Sequence, residues 1–293
     1  MSKTLRATDN EFLADHMIGD NEVLPTVCAM AWMADAAESA FGGYHYVGLE
    51  NYKLFKGIVF DGSEASDYQI DLAVLEEPKG SPDQLYVDSK ISSLNANGKA
   101  IFHYGAKILL NSSSSKQLLP KANLSEDLSN HTEITEAARQ IYSNGTLFHG
   151  ESLQGIRDII HCDDKGLLLA CKVPAVAQSK QGDFPILSQN IFANDLVYQA
   201  MLVWVRKQLS LGSLPSSTKQ WITYAQVKAE QLFYLQLTVK EQNNTKLIAD
   251  ISLISTENEL LAEIKSAEVT VSESLNDLFK PSSNLDTAKI SGL

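Results

Sequence analysis

The stretch TVCAMAWMADAAESAF at residues 26–41, followed by Gly42 and Gly43, decides how the first half of this 293-residue chain folds. Alanine, methionine and other good helix formers fill the stretch, and the glycine pair supplies a helix stop. Asp35 and Glu38 are its only charged residues, and they lie three positions apart on one face. We therefore predict a helix that is buried on almost every side, which requires a sheet wrapped around it.

The segments after this helix alternate apolar and polar residues, as strands do. The alternation favours strands near residues 52–60, 67–76, 84–93 and 99–110, the last two joined as a hairpin through Asn95–Gly98. The second half repeats this order of elements, with strands near 154–162 and 166–174, a helix over about 194–209 with Asn194 as its candidate N-cap, and strands near 221–227, 231–240, 246–256 and 260–271. The chain is therefore predicted to be α+β, with two antiparallel sheets that each wrap around a central helix.

Changes in composition along the chain predict the boundaries between these units. The first unit covers residues 1–112, and a polar linker with one short helix near 132–141 covers residues 113–140. The second unit covers residues 141–272, and residues 273–293 form a polar tail that we expect to be loose at its end.

The charge of the chain excludes one large class of function. Lys and Arg number 24 against 36 Asp and Glu, a net charge of −12, whereas a nucleic-acid binder needs clustered basic residues. The first 145 residues carry most of the excess, at −9, against −3 for the remainder. We find neither an export signal nor an apolar run long enough to span a membrane, so we expect a cytoplasmic protein without a membrane partner. Cys28, Cys162 and Cys171 are accordingly predicted to be buried, reduced thiols.

The common motifs of metal and nucleotide chemistry are missing from the sequence. The six histidines are scattered, and none has a histidine or cysteine partner at the i, i+4 spacing of a helical metal site. Neither a G-x-G-x-x-G loop, a Walker loop nor a G-x-S-x-G elbow occurs. We therefore predict no metal site and no bound cofactor.

The segment DHMIGDNEVLPT, residues 15–26, places one histidine shortly before the buried helix. His16 precedes Pro25 by nine residues, with Thr26 as a candidate capping residue, so its imidazole is expected near the helix N-terminus. That end of a helix carries a partial positive charge, which suits a carbonyl oxygen that becomes enolate-like, and histidine is the natural base there. A surface histidine in an Asp-His loop is the alternative that the spacing alone leaves open.

Asp195 and Gln199 are four residues apart on the helix predicted for the second half. They share one face, so the amide can hold the carboxyl in a single rotamer. A first-turn aspartate that merely complements the helix dipole is the alternative. The dipole would keep Asp195 ionised, whereas burial would raise its pKa as an acid role requires, and the sequence does not decide between these effects.

Four segments in order resemble one family. They are the DH…LPT segment at residues 15–26, LENYKLFKG at 49–57, LFHGESLQGI at 147–156 and DLVYQ at 195–199. Over residues 10–271 the chain resembles the dehydratase domain of polyketide synthases, and in particular that of bacterial polyunsaturated fatty acid synthases. The resemblance implies a double hot-dog fold, in which two hot-dog units of one chain form a pseudo-dimer.

The resemblance also implies a reaction, the dehydration of a 3-hydroxyacyl thioester to a 2-enoyl thioester. His16 would abstract the α-proton, Asp195 would protonate the departing β-hydroxyl, and Gln199 would orient Asp195. The substrate would arrive on the phosphopantetheine arm of an acyl carrier protein, with no further cofactor.

Two departures from the family pattern affect the residues expected to position the substrate. The first family motif, H-x-x-x-G-x-x-x-x-P, keeps Pro25, but its glycine occurs one position early, as Gly19. The second motif, G-Y-x-Y-G-P-x-F, survives only as Gly150, and His149 stands where the family has its second tyrosine. His149 is thus expected either to help hold the leaving group or to be a partly buried structural histidine.

The expected partners are an acyl carrier protein and the other domains of a multienzyme synthase, and homodimerisation is one assembly that the family likeness allows. Because acyl carrier proteins are acidic, the less acidic second half, with Arg206 and Lys207, is the predicted docking side. Three other functions stay open. They are a hot-dog thioesterase, a double-bond isomerase, and a catalytically degenerate dehydratase-like module that binds acyl groups or serves as a scaffold.

Overall fold

The structure, a computed structural model, describes residues 1–62, 66–75, 83–112, 118–124, 131 and 133–279. Within these residues the helices, labelled in chain order, are α1 (Thr26–Ala40), α2 (Glu136–Ser143), α3 (Ile191–Leu209) and α4 (Leu275–Leu278). The strands of the first half are β1 (Ser2–Leu5), β2 (Met17–Ile18), β3 (Asn21–Val23), β4 (His45–Leu54), β5 (Val59–Phe60), β6 (Ser66–Leu75), β7 (Gln84–Leu94) and β8 (Ala100–Asn111). Those of the second half are β9 (Ile156–Cys162), β10 (Gly166–Lys172), β11 (Gly212–Thr223), β12 (Leu232–Gln242), β13 (Lys246–Ser255) and β14 (Leu260–Ser272).

Eleven strands form one antiparallel sheet in the order β1-β6-β7-β8-β4-β11-β14-β13-β12-β10-β9, and β2, β3 and β5 form a small second sheet. Five strands of the first half wrap around α1, and six strands of the second half wrap around α3. This arrangement confirms the predicted α+β fold with a sheet wrapped around a central helix in each half, although the two predicted sheets are continuous with each other. The predicted β7–β8 hairpin is present, and the Asn95 side chain accepts backbone hydrogen bonds from Asn97 and Lys99 across its turn.

The two halves join through one strand pair. Strand β4 pairs with β11 in antiparallel register, with Leu49 opposite Trp221 and Gly48 opposite Ile222. A Cβ atom at Gly48 would lie 2.4 Å from the carbonyl oxygen of Trp221, so only glycine permits this close approach. The pairing makes one continuous sheet of the two units and brings α1 and α3 into contact.

Helix α3 begins three residues earlier than the sequence predicted. The side chain of Asn190 accepts hydrogen bonds from the backbone N–H groups of Phe192 (3.2 Å) and Ala193 (3.4 Å) and thereby caps the helix. Asn194, the predicted N-cap, instead donates its side-chain amide to Gln189 from inside the helix. The prediction was wrong because both asparagines precede good helix formers, and only the tertiary packing selects between them.

Other predicted bounds also differ from the structure. In place of one strand near 52–60, the chain forms β4, which begins seven residues earlier, and the two-residue β5. Strand β11 begins at Gly212 rather than near 221, because Pro215 and the serines after it hide a strand that pairs along β14 with a bulge at Pro215. The part of the tail up to Phe279 is ordered as α4 and a buried phenylalanine that stacks on Phe148, and the remainder of the predicted tail lies outside the described residues. In the linker, Thr135 caps α2, while residues 113–117, 125–130 and 132 lie outside the described residues.

The three cysteines are free thiols. Cys28 and Cys171 are buried as predicted, whereas Cys162, at the end of β9, is only half-buried. Across the residues that the structure describes, no helix combines the length and apolar character needed to cross a bilayer.

Candidate active site

A cavity of about 240 Å³ lies where the two units meet. Its walls are largely apolar, and both units contribute to them, with Leu24, Leu54 and Tyr104 from the first unit and Leu202 and Leu214 from the second. His16, His149 and Asp195 also face this space, together with Thr26 and Tyr198. The cavity therefore combines a small group of titratable side chains with an apolar surface suited to an aliphatic chain.

Backbone atoms hold His16 in place. The residue follows a short 3-10 helix at Glu11–Asp15, and its N–H donates to the carbonyl of Leu13. Its ring Nδ1 lies 2.7 Å from the carbonyl oxygen of Val23, and the Val23 N–H donates back to the carbonyl of His16 at 3.1 Å. Because a carbonyl can only accept, Nδ1 carries the proton, which leaves Nε2 with a free lone pair. His16 is buried, so the alternative of a surface histidine is wrong.

Side chains hold Asp195 in place. Gln199, one helical turn further along α3, donates from Nε2 to Asp195 Oδ2 at 2.8 Å and to the carbonyl of Leu153 at 2.8 Å. The Tyr142 hydroxyl donates to Gln199 Oε1 at 2.9 Å and itself accepts from the N–H of Ile156. The amide is thus bonded at both ends and fully buried, and its orientation fixes one oxygen of Asp195.

His149 completes the group. Its Nε2 lies 3.4 Å from Asp195 Oδ2, and its backbone forms an isolated antiparallel bridge with His16. The two imidazole rings are 5.3 Å apart between centroids, and the His149 ring stacks on Phe148 at 4.1 Å. The Nδ1 atom of His149 is buried without a hydrogen-bond partner.

Burial controls the protonation of these three groups. It lowers the pKa of His16, although the nearby Asp195 carboxylate acts in the opposite direction. Burial, together with the charge of His16, holds the pKa of His149 well below its usual range. Burial also raises the pKa of Asp195, although His16 and Gln199 act in the opposite direction. The sequence did not decide whether Asp195 is more easily ionised or more easily protonated than in water, and loss of solvent favours protonation. Both imidazoles therefore favour the neutral form, and the carboxyl keeps its proton more readily than in water.

The residues predicted to position the substrate lie around this group but do not all face the cavity. Gly19 lies in the turn between β2 and β3 with a φ of +63°, and its N–H donates to the carbonyl of Leu278 at 2.9 Å. Pro25 occupies the N-cap position of α1. Thr26, predicted to cap that helix, is its first residue, and its hydroxyl bonds to the buried hydroxyl of Tyr52 instead.

Gly150 links the backbones that carry the two histidines. Its N–H donates to the carbonyl of Asp15 at 2.8 Å, and a Cβ atom at this position would lie 2.0 Å from Asp15 Oδ1. The other oxygen of Asp15 accepts from the N–H of Ser152 at 2.8 Å. Gly150 therefore permits the close contact between the Asp15–His16 segment and the His149–Gly150 segment.

The absence of a metal site, predicted because no histidine has a partner at helical i, i+4 spacing, stays a prediction, but three side chains of metal-binding types do come together in the fold. One ligand atom from each of His16, His149 and Asp195 lies within 4.8 Å of the other two, and all three residues are buried. These residues are far apart in sequence, so the rule based on helical i, i+4 spacing could not detect them. Tyr142, which is 57 residues from Gln199, was also missed. The carbonyl of Val23 was missed because a backbone group, although only seven residues from His16, leaves no mark on the residue pattern.

The fold and this site define a class, the double hot-dog proteins with one histidine and one aspartate facing a shared cavity. Comparison with family models then gives the family. Residues 1–83 match the polyketide synthase dehydratase domain, and residues 119–278 match a model described as the polyketide synthase dehydratase N-terminal domain. The chain belongs to the polyketide synthase dehydratase domain family.

Individual relatives agree with this assignment. One subunit of the polyunsaturated fatty acid synthase from Thraustochytrium sp. is 29% identical over 239 residues, which cover 81% of this chain and 8% of that protein. The chain thus spans a small part of the length of this relative. Among solved structures, the dehydratase domain from the CurF module of the curacin polyketide synthase superposes with a TM-score of 0.69 at 16% identity, covering 93% of this chain and 92% of that one. A trans-AT polyketide synthase dehydratase domain from Brevibacillus brevis gives a TM-score of 0.69 at 18% identity, covering 92% of each chain.

Proposed function

We propose that this protein removes water from a 3-hydroxyacyl thioester to give a 2-enoyl thioester, as one domain of a polyketide or polyunsaturated fatty acid synthase. One observation carries the proposal. The imidazole of His16, from the first unit, and the carboxyl of Asp195, from the second, face one apolar cavity. A ring nitrogen of the histidine lies within 4.8 Å of a carboxyl oxygen of the aspartate. A substrate whose α- and β-carbons lie between them can meet a base and an acid at once.

The first step falls to His16. Its free Nε2 takes the α-proton of the thioester, while Nδ1–H stays bonded to the carbonyl of Val23 and stabilises the imidazolium that forms. The thioester oxygen then becomes enolate-like. The N-terminal end of α1, where Thr26 lines the cavity, supplies the partial positive charge that favours this oxygen.

The second step falls to Asp195. Hydroxide is a poor leaving group, so the β-hydroxyl must receive a proton as its C–O bond breaks. Burial raises the pKa of Asp195, which favours the protonated carboxyl that this step needs, and Gln199 holds one of its oxygens so that the other can face the substrate. After release of the enoyl product and water, His16 carries one additional proton and Asp195 has lost one, and transfer between them restores the starting state.

His149 is proposed to assist at the leaving group. Burial favours its neutral form, its Nε2 lies beside Asp195, and it occupies the position where the family has its second tyrosine. The assignment of His16 and Asp195 has a parallel in a relative. The CurK dehydratase, 16–17% identical to this chain, has been crystallised as two inactive mutants, one with aspartate replaced by asparagine and one with histidine replaced by phenylalanine.

The acyl chain is proposed to arrive on an acyl carrier protein of the same assembly, where a high effective concentration offsets poor electrostatic steering by an acidic domain. Arg206, one of the two cations predicted for docking, bonds to Asn276 and lies over the ring of Phe279 at 5.4 Å. Lys207 is the exposed cation of the pair. The cavity reaches the surface beside Val59, which is 48% exposed.

The deciding experiment is a mass-resolved assay of the purified chain on a 3-hydroxyacyl group carried by an acyl carrier protein. We expect a product that is lighter by one water, and hydration of the enoyl thioester in the reverse direction. Substitution of His161, an exposed histidine paired with Asp163, by alanine serves as a matched control that leaves the rate unchanged. Release of a free thiol would identify a thioesterase instead, and a mass-neutral shift of a double bond would identify an isomerase. Binding without any conversion would identify a degenerate acyl-binding module.

A further inference from the structure

We propose that His16, His149 and Asp195 together bind a divalent transition-metal ion of the Zn²⁺ class. The site overlaps the one assigned to dehydration, but binding of the ion requires no turnover and can be measured independently. Because the ion would occupy the lone pair that the base uses, it would act as a reversible inhibitor.

The three side chains are of types that bind Zn²⁺, and they are close enough to share one ion. Two imidazoles and one carboxylate form a three-ligand set that suits Zn²⁺ and related ions, and a fourth position open to a cavity can take water. All three side chains are buried, and their ligand atoms lie within 4.8 Å of one another. Two ligands of a tetrahedral zinc ion are roughly 3.3 Å apart, given bond lengths of about 2.0–2.1 Å. The contact between His149 Nε2 and Asp195 Oδ2, at 3.4 Å, already has this spacing.

Hydrogen bonds from the surrounding residues already orient two of the three side chains. A histidine that binds a metal usually donates its other ring N–H to a carbonyl or carboxylate, and its orientation is thereby fixed. His16 has this arrangement, since Nδ1–H donates to the carbonyl of Val23 and Nε2 is left free. Asp195 is oriented in the same way by the amide of Gln199. Two of the three ligands are therefore held in place before any ion binds.

The ring of His149 is available to bind an ion. Its ring has few competing bonds, since Nδ1 is buried without a partner and Nε2 makes only the 3.4 Å contact with Asp195. Coordination would give Nε2, the nitrogen that lies beside Asp195, a strong partner in place of this long contact. A tyrosine, which the family has at this position, would not supply a neutral nitrogen ligand. The inference is therefore specific to a chain with histidine at position 149.

The test is a titration of the full chain, freed of metals by dialysis against a chelator, with Zn²⁺ in a calorimeter. We expect one ion per chain, and we expect Co²⁺ in its place to give the intense visible bands of a four-coordinate site. His149→Phe and Asp195→Asn should each weaken binding by more than about 100-fold, above the 10–100-fold that loss of a residue outside the first coordination shell typically costs. His161→Ala removes an exposed histidine paired with Asp163 and should leave the affinity unchanged.

Two results would overturn the proposal: wild-type protein that binds no equivalent of Zn²⁺, or His149→Phe protein that binds it as tightly as the wild type while keeping its fold by circular dichroism. Activity assays, run beside the titration, test metal binding and dehydration independently. A chelator-treated protein that dehydrates its substrate and is inhibited by one equivalent of Zn²⁺ supports both proposals. A protein that binds Zn²⁺ at these residues but has no dehydratase activity supports the metal site alone, and an active protein that is indifferent to Zn²⁺ refutes it.

Discussion

The two units of the chain present their chemical groups in different ways. The first unit supplies His16 from a loop before its helix, and the loop is held by the backbone groups of Leu13 and Val23. The second unit supplies Asp195 from within α3, held by the side chains of Gln199 and Tyr142. Two units of the same fold therefore hold their catalytic candidates differently, His16 by backbone groups and Asp195 by side chains. The first arrangement should be sensitive to changes in backbone path, and the second to changes in side-chain chemistry.

The largest expected effect comes from removing either group. His16→Phe and Asp195→Asn should each lower kcat/KM for dehydration by roughly 10²–10⁴-fold, the usual contribution of a general acid or base. Because base and acid act in one reaction, the double variant should lose much less than the product of the single losses. Steady-state kinetics on a carrier-bound substrate provides the measurement. Strict additivity would show that the two groups do not act together.

Gln199→Leu probes the side-chain arrangement in the second unit. The variant frees Asp195 to rotate, so kcat should fall roughly 10–100-fold. It also leaves the Leu153 carbonyl without its donor and the buried Tyr142 O–H without its acceptor, while Tyr142 keeps the bond from the Ile156 N–H. Each lost partner should cost about 1–3 kcal/mol in the free energy of unfolding.

The pH profile of this variant separates positioning from general damage. The bond from Gln199 lowers the pKa of Asp195, so its removal should move the limb assigned to the acid to higher pH. The exposed Gln140, which bonds to Glu136 on α2, supplies the matched control Gln140→Leu, for which no change in rate or profile is expected. An unshifted limb in Gln199→Leu would indicate that the amide has only a structural role.

Gly150→Ala probes the backbone arrangement in the first unit. The added methyl group would lie 2.0 Å from Asp15 Oδ1 and 2.9 Å from Asp15 Cβ, so the Asp15 side chain, next to His16 in the chain, must move. Overpacking of this kind typically costs about 1–3 kcal/mol of stability, and displacement of the base should lower activity as well. Gly42→Ala, at a position with no atom within 4 Å of the added carbon, is the control. Equal melting temperatures for the two variants in a denaturation experiment would contradict this account.

The smallest expected effect is a gain in stability when Asp195 is neutralised. Burial raises its pKa in the folded chain, so the charged form is disfavoured there, and this residue destabilises the fold increasingly as pH rises above the unfolded value of about 3.9. Asp195→Asn should therefore raise the Tm at pH 7.5. The gain should shrink as pH is lowered. A lower Tm at pH 7.5 would show that the carboxylate is stabilised by its neighbours despite its burial.

The elements found from sequence are those with local causes. The Asn95–Gly98 turn follows from local turn chemistry, and the pairing of Asp195 with Gln199 follows from the helical repeat. The helix over residues 26–40 follows from its helix-forming residues and the glycine stop. The resemblance to a known family then predicted that the two units form a pseudo-dimer, and that His16 and Asp195 face the same substrate. The local signal was weaker at helix and strand ends, where the choice of Asn190 over Asn194 depended on packing against distant residues.

The sequence by itself thus determined two buried helices, most of the strands and the residue types available for acid–base chemistry, because those depend on neighbours along the chain. Only the tertiary structure decided that His149 meets His16 and Asp195, and that β4 pairs with β11 to join the units. It also decided the direction of the pKa shift of Asp195. The physical reason is the same in each case. Distances between residues remote in sequence, and the loss of solvent around them, exist only once both units have closed around one cavity.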